Sequence, residues 1–269
     1  MKKNLVLMVF LIVTVFALSG CGADESSATS GDNGATQELK YKGEILLVHS
    51  GAGLSGAMDE IGQAFENEYG ATVNLNYAGC AQLLSQMEIN KQGDVFVGAS
   101  DNDMEIAMEK GFACDYLELV YHIPAIAVPA GNPAGITCLG DFGKPGVKLI
   151  LGDEKTNAIG KKGAKIFEKN GLTESVASNV VTRDATVNEI VMHLAMKQGD
   201  AGLIWEDIGS GSEDIEVIAI PEEQNVIDKA SACVLGFTEN EALARSFVEY
   251  MHSETGVAIF VEHGFKEIE

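Results

Sequence analysis

The chain has 269 residues, of which 18 are Lys or Arg and 40 are Asp or Glu, giving a formal net charge of −22. So acidic a surface repels nucleic acid and anionic lipid headgroups, and neither is an expected partner. The cysteines, at 21, 80, 114, 138 and 233, form no C-x-x-C pair and have no histidine at ligand spacing near them. A metal site is therefore not expected.

The N-terminus is a processing signal. Lys2, Lys3 and Asn4 precede an apolar run from Leu5 to Leu18, which ends in Leu18-Ser19-Gly20-Cys21. A charged start, an apolar centre and a small-residue cleavage site make residues 1–20 a signal peptide. The run of about 14 residues is shorter than the roughly 18–20 that span a bilayer as a helix. Leu-Ser-Gly-Cys resembles the bacterial lipobox, which implies cleavage before Cys21 and acylation of its thiol; an ordinary secretory leader beside a chance cysteine is the alternative. Several acyl chains on one residue give the multiple anchors that stable attachment requires. Losing Lys2 and Lys3 with the leader takes the mature net charge to −24. Residues 21–41, rich in Ser, Gly, Ala, Asp and Asn without apolar periodicity, form a flexible linker. The remaining stretch, about 230 residues, suffices for one large or two smaller cores.

Beyond the linker, strands and helices alternate. Glu44–His49 is predicted as a buried strand, Gly56–Tyr69 as an amphipathic helix, Ala71–Tyr77 as a strand and Ala81–Asn90 as a helix. Asp94–Gly98 is a third strand, followed by a helix around Asp103–Lys110. Ala125–Pro129 is a strand running into the Pro/Gly-rich stretch Ala130–Gly146. Strand Lys148–Leu151, helix Gly163–Asn170, helix Val187–Lys197 and strand Ala201–Trp205 repeat the theme. Ala232–Phe237 is a late strand, and helices near Glu241–Met251 and Gly256–Glu262 close the chain. This rhythm predicts an α/β protein of two units, each a mostly parallel sheet with helices on both faces.

Gly51-Ala52-Gly53-Leu54-Ser55-Gly56 is a literal G-x-G-x-x-G between a strand and a helix. A dinucleotide site also needs an acidic residue closing the second strand, where this chain has Asn76-Tyr77-Ala78, so no nucleotide cofactor is expected. The same glycines are not G-x-S-x-G, and no nucleophile elbow is present. Glycine at a strand–helix junction still lets a small anion reach backbone N–H groups at a helix N-terminus. Ala78-Gly79-Cys80-Ala81 is built alike. Either junction can instead be a tight turn with no ligand.

The chain from about Lys42 onward resembles the molybdate-binding receptors of bacterial ABC importers. The resemblance is carried by GAGLSGAMDEIGQAFENEYG, NYAGCAQLLSQMEINKQGDVFVGAS, the segment Gly152–Gly171, Ala201–Trp205 and the closing FVEYMHSETGVAIFVEHGF. It implies the two-lobed type II periplasmic-binding fold, with a ligand cleft between a first lobe of residues 42–124 plus 230–269 and a second of 125–229. It also implies a tetrahedral oxyanion held by neutral donors. By position the hydroxyl residues of that family fall on Gly53 and Cys80, backbone donors on Ile159 and Val187, and a tyrosine on Trp205. Gly53 has no side-chain donor, but Ser50 and Ser55 are near; Cys80 offers a weak S–H and Trp205 an indole N–H. Cys80 can equally be a packed thiol and Trp205 a core side chain. With Cys21 spent on the lipid, four cysteines allow three disulfide pairings, none favoured by spacing, and free buried thiols are expected.

The leading expectation is a monomeric extracytoplasmic lipoprotein that binds molybdate or tungstate without a cofactor, closes its lobes and docks on a membrane permease. A receptor for another small organic anion is the nearest rival. An exported α/β enzyme is a more distant one, opposed by the lack of any Ser/His/Asp or Cys/His grouping.

Overall fold

The computed structural model describes residues 39–209 and 212–269. The expected leader, Cys21 and the linker up to residue 38 lie outside those residues.

From Ile45 the chain runs β1 (Ile45–Gly51), a 3-10 turn (Ala52–Leu54), α1 (Ser55–Tyr69), β2 (Thr72–Ala78), α2 (Cys80–Asn90), β3 (Val95–Gly98), α3 (Asp101–Glu109) and β4 (Leu117–His122). It then crosses to β5 (Pro124–Pro129), β6 (Leu149–Gly152), α4 (Ala158–Lys169), α5 (Thr173–Ala177), β7 (Val180–Asp184), α6 (Val187–Ala195), β8 (Ala201–Trp205), α7 (Glu206–Gly209) and β9 (Ile215–Ala219). It returns through β10 (Asp228–Val234), α8 (Glu241–His252), α9 (Glu254–Glu262) and β11 (Lys266–Glu267). Two sheets result, ordered β11-β4-β10-β3-β1-β2 and β7-β6-β8-β5-β9. Each is the floor of one lobe.

The expectation of mostly parallel sheets needs correction. The pairs β1–β2, β1–β3, β6–β7 and β6–β8 are parallel, but β10 runs antiparallel to β3 and β4, and β5 antiparallel to β8 and β9. The strands next to the two crossings enter each sheet from the other lobe's side, and so run against their neighbours.

Burial follows the side-chain pattern. β3 is buried throughout, as a central strand covered on both faces must be. In α1 the buried residues Ala57, Met58, Ile61, Gly62 and Phe65 recur at helical spacing. Phe65 meets Phe247 and Tyr250 of α8 edge-on, with ring centroids 5.0 and 5.5 Å apart. Gly70, at φ 81°, ends α1 by giving its N–H to the Glu66 carbonyl at 2.9 Å. Leu83, Leu84 and Met87 of α2 and Met104 of α3 cover a separate cluster with Phe96 on the first sheet. A third core lies in the second lobe, around Ile126, Leu149, Ile166 and Leu203.

Among the described residues four cysteines are free, as expected, but only Cys233 is fully buried. Cys114 and Cys138 are exposed because they sit in connections between elements, so the expectation of buried thiols fails for both. No described helix is long and apolar enough to cross a membrane.

Candidate functional site

Two segments join the lobes, at Ile123 and at residues 220–227. The second is tied to the first where the Asn225 side-chain amide donates to the carbonyl of Pro124, next to Ile123, at 2.8 Å, and Glu206 N–H of α7 donates to the Ile123 carbonyl at the same distance. Beside this junction is a cavity of about 350 Å3. Its first-lobe wall includes Gly53, Ser55, Gly56, His263 and Phe265, and its second-lobe wall Thr186, Val187, Asn188, Asp207 and Ile208.

Two helix N-termini face this space. The turn Ala52–Leu54 leads straight into α1, with the Ser55 N–H bonded to the Ala52 carbonyl, so the helical N-terminus on this wall is at Ala52 and Gly53. At α6, Thr186 Oγ1 accepts from Glu189 N–H at 3.3 Å while the Glu189 carboxylate accepts from Thr186 N–H at 2.9 Å. This capping box satisfies two donors and leaves Val187 and Asn188 to present theirs to the cavity. Neither Lys nor Arg lines the space. What this wall can offer an anion is backbone dipoles, which are fixed in direction and discriminate by geometry.

Of the residues singled out from sequence, Gly53 and Val187 lie on the wall, and a Cβ added at Gly53 would meet nothing within 4 Å. Ser50 is buried at the end of β1 with its hydroxyl 3.4 Å from the Gly51 carbonyl. Cys80 begins α2, with its sulfur 3.0 Å from where a Gly51 Cβ would stand. Burial, reinforced by the neighbouring Asp103 carboxylate, pushes this thiol's pKa well up, so it is a neutral S–H. Ile159 is buried near the start of α4 and gives its N–H to Asn157 Oδ1 at 3.1 Å. Trp205 is 5% exposed and stacks on His122, with centroids 3.8 Å apart and planes 19° from parallel. Cys80, Ile159, Trp205 and Ser50 are thus outside the cavity lining.

Sequence reasoning passed over the ionisable groups here. Asp207 is on the wall, and burial pushes its pKa up to about 7, against its own backbone N–H and with some help from Glu206. His122 is fully buried; desolvation takes its pKa down to about 4, opposed by a hydrogen bond to the Ala99 carbonyl and aided by Lys162. His263, also on the wall, bonds Glu60 at 2.9 Å. Nothing in sequence marks His122, and Asp207 follows Trp205 by two positions without a motif.

Two α/β lobes joined by two crossings, with helix N-termini turned into the space between them, are the build of a solute-binding receptor. The chain belongs to the family described as bacterial extracellular solute-binding protein, which matches residues 46–266. The Mycobacterium bovis protein named molybdate-binding protein ModA is 26% identical over 254 residues, covering 93% of both chains. The sulfate-binding protein SubI from Mycobacterium tuberculosis superposes with a TM-score of 0.73 at 15% identity, covering 84% of this chain and 88% of that one. The periplasmic molybdate-binding protein of Azotobacter vinelandii gives 0.69 at 16% identity, covering 83% and 100%. These likenesses establish the type II periplasmic-binding fold.

Proposed function

We propose that this chain is the lipid-anchored receptor of an ABC importer, and that it binds a small tetrahedral oxyanion, molybdate or tungstate, by closing its two lobes. The observation that carries this reading is the pair of N-termini, of α1 and α6, facing one cavity that no Lys or Arg lines. Neutral donors on a chain of net charge −22 select by distance, since long-range attraction is absent. Gly53 and Val187 supply amides at once. Cys80, Trp205, Ser50 and the Ile159 amide join as the lobes close, the last by leaving Asn157. The molybdate-binding relatives support the choice of ligand. The receptor catalyses nothing and hands its ligand to a membrane permease.

Molybdate, tungstate, sulfate and phosphate titrations, read by Trp205 fluorescence and calorimetry, test the reading. Molybdate or tungstate is expected to bind at least tenfold more tightly than sulfate and phosphate, about 1.4 kcal/mol or more, and to lower the radius of gyration in small-angle scattering. Silence from all four in both measurements rejects it. A second reading, an organic anion, is favoured by cavity size: about 350 Å3 is room for roughly ten waters, with Ile208 and Phe265 as apolar wall.

Anchoring is tested separately. Cys21→Ala is expected to remain unprocessed and to lose detergent partitioning. A variant that still matures and partitions like wild type overturns the tether.

A further inference from the structure

His122 closes β4 in the first lobe and Asp207 belongs to α7 in the second, so their side chains meet across the junction. Nδ1 of His122 lies 2.9 Å from the Ala99 carbonyl oxygen, which can only accept. Nδ1 therefore carries the ring proton, and Nε2 presents a lone pair. That lone pair has no hydrogen-bond partner among the described residues. Oδ1 of Asp207 stands 3.5 Å from it, and the two side chains are 2% and 5% exposed. A bare carboxylate facing a lone pair is repulsive, and burial magnifies the cost. One proton on the carboxyl turns the same contact into an O–H···N interaction. The stacked Trp205 ring holds the imidazole plane in place for it.

The surrounding charges do not supply this neutralisation. Asp228, the cross-strand partner of His122, is taken by Lys162 at 2.6 Å. Lys266 pairs with Glu206 at 3.2 Å, and His263 with Glu60 at 2.9 Å. Lys229, one residue further along β10, pairs with Glu118.

We propose that the His122–Asp207 pair carries one proton whenever the cleft is occupied, so that anion binding is coupled to proton uptake. This rests on the oxyanion reading above. With the proton the pair is neutral; without it the pair is −1, on the wall against which a dianion must sit. The proton comes from solvent and goes to Asp207 Oδ1, because burial disfavours charging both groups and His122 yields its proton far more readily than Asp207. No covalent bond changes. The sign follows from a free-state pKa of about 7 at Asp207. Below it the proton is already present and affinity is flat. Above it each bound anion must recruit a proton, and affinity falls by up to about tenfold per pH unit.

The test is calorimetry of molybdate binding to the full chain at about pH 6 and about pH 8.5, each in two buffers of different ionisation heat. At the higher pH the wild type is expected to bind about tenfold or more weakly and to take up about one proton per anion. Asp207→Asn should bind with little pH dependence, because its amide N–H donates to Nε2 as the protonated carboxyl does. Equal affinity at both pH values without proton uptake overturns the linkage and leaves the oxyanion reading standing. An Asn variant that keeps the wild-type slope also overturns it. Absence of both molybdate and tungstate binding at both pH values, with sulfate and phosphate silent too, rejects the oxyanion reading and the linkage with it. The wild-type proton count decides the matter even if the variant does not fold.

Discussion

Gly160→Ala is expected to destabilise the protein by about 3 kcal/mol, although it places alanine, the best helix former, inside a helix. Gly160 lies in the first turn of α4, pressed against the end of β6. A Cβ there would meet the Asp153 carbonyl oxygen and stand 2.6 Å from the carbonyl atoms of Gly152. These are backbone atoms, which cannot rotate aside as a flexible side chain would. Relief requires α4 to back away from β6, which disturbs Ile166 and Phe167 in the core and moves the Asn157 cap. The gain in helix propensity, about 1 kcal/mol, does not offset this. Denaturant unfolding measures the change, with Gly53→Ala, whose Cβ points into open space, as a control expected to be near neutral. A loss below about 0.5 kcal/mol at Gly160, the range of ordinary surface substitutions, would contradict the close-packing account.

Lys162→Met is expected to cost about 3–5 kcal/mol near neutral pH. Lys162, on α4, meets Asp228 at the start of β10 at 2.6 Å, with side chains 11% and 6% exposed. Removing the cation leaves a carboxylate in a site that already disfavours its charge: burial raises the Asp228 pKa, and Lys162 is what restrains the rise. Without Lys162 the folded-state pKa climbs further. The folded form then binds a proton more tightly than the unfolded chain, so stability is retained at low pH and lost as pH rises through the folded pKa. The deficit should accordingly shrink on acidification towards pH of about 4. The double variant Lys162→Met with Asp228→Leu should recover most of the loss, since replacing both members of a buried pair by apolar groups is often neutral. A double-mutant cycle measures the coupling, and simple additivity of the two single losses would show that the pair does not act as a unit.

Much of this fold was legible because its central strands are short apolar runs and its helices keep a single apolar face. Ala201–Trp205 has the bounds read from its apolar sequence, and α1 begins one residue before the expected Gly56. Misplaced elements have physical causes. The late strand begins at Asp228, not Ala232, because its first residues are Asp and Lys, whose charges are answered by Lys162 and Glu118 from elsewhere in the fold. α4 begins at Ala158, not Gly163: Gly160 argues locally against helix but is required by the close approach to β6. β7 and β9 lie at the edges of the second sheet, where half-exposed strands carry polar residues such as Thr182, Arg183 and Glu216. In the candidate site, the glycine junction and the start of α6 were readable from local pattern. His122 and Asp207 were not, since their meaning depends on a contact between two lobes that are far apart along the chain.

The place of β10 bears on the order in which the molecule assembles. It fills the gap between β3 and β4, and Lys229 of β10 is 111 residues from its partner Glu118 of β4. The second lobe is a single continuous insertion and can complete its sheet from local material. The first lobe must wait, with the facing edges of β3 and β4 unpaired, until Asp228–Val234 arrives. A chain emerging from its N-terminus therefore exposes two open strand edges while the whole second lobe is made, and β10 is the strand that removes them.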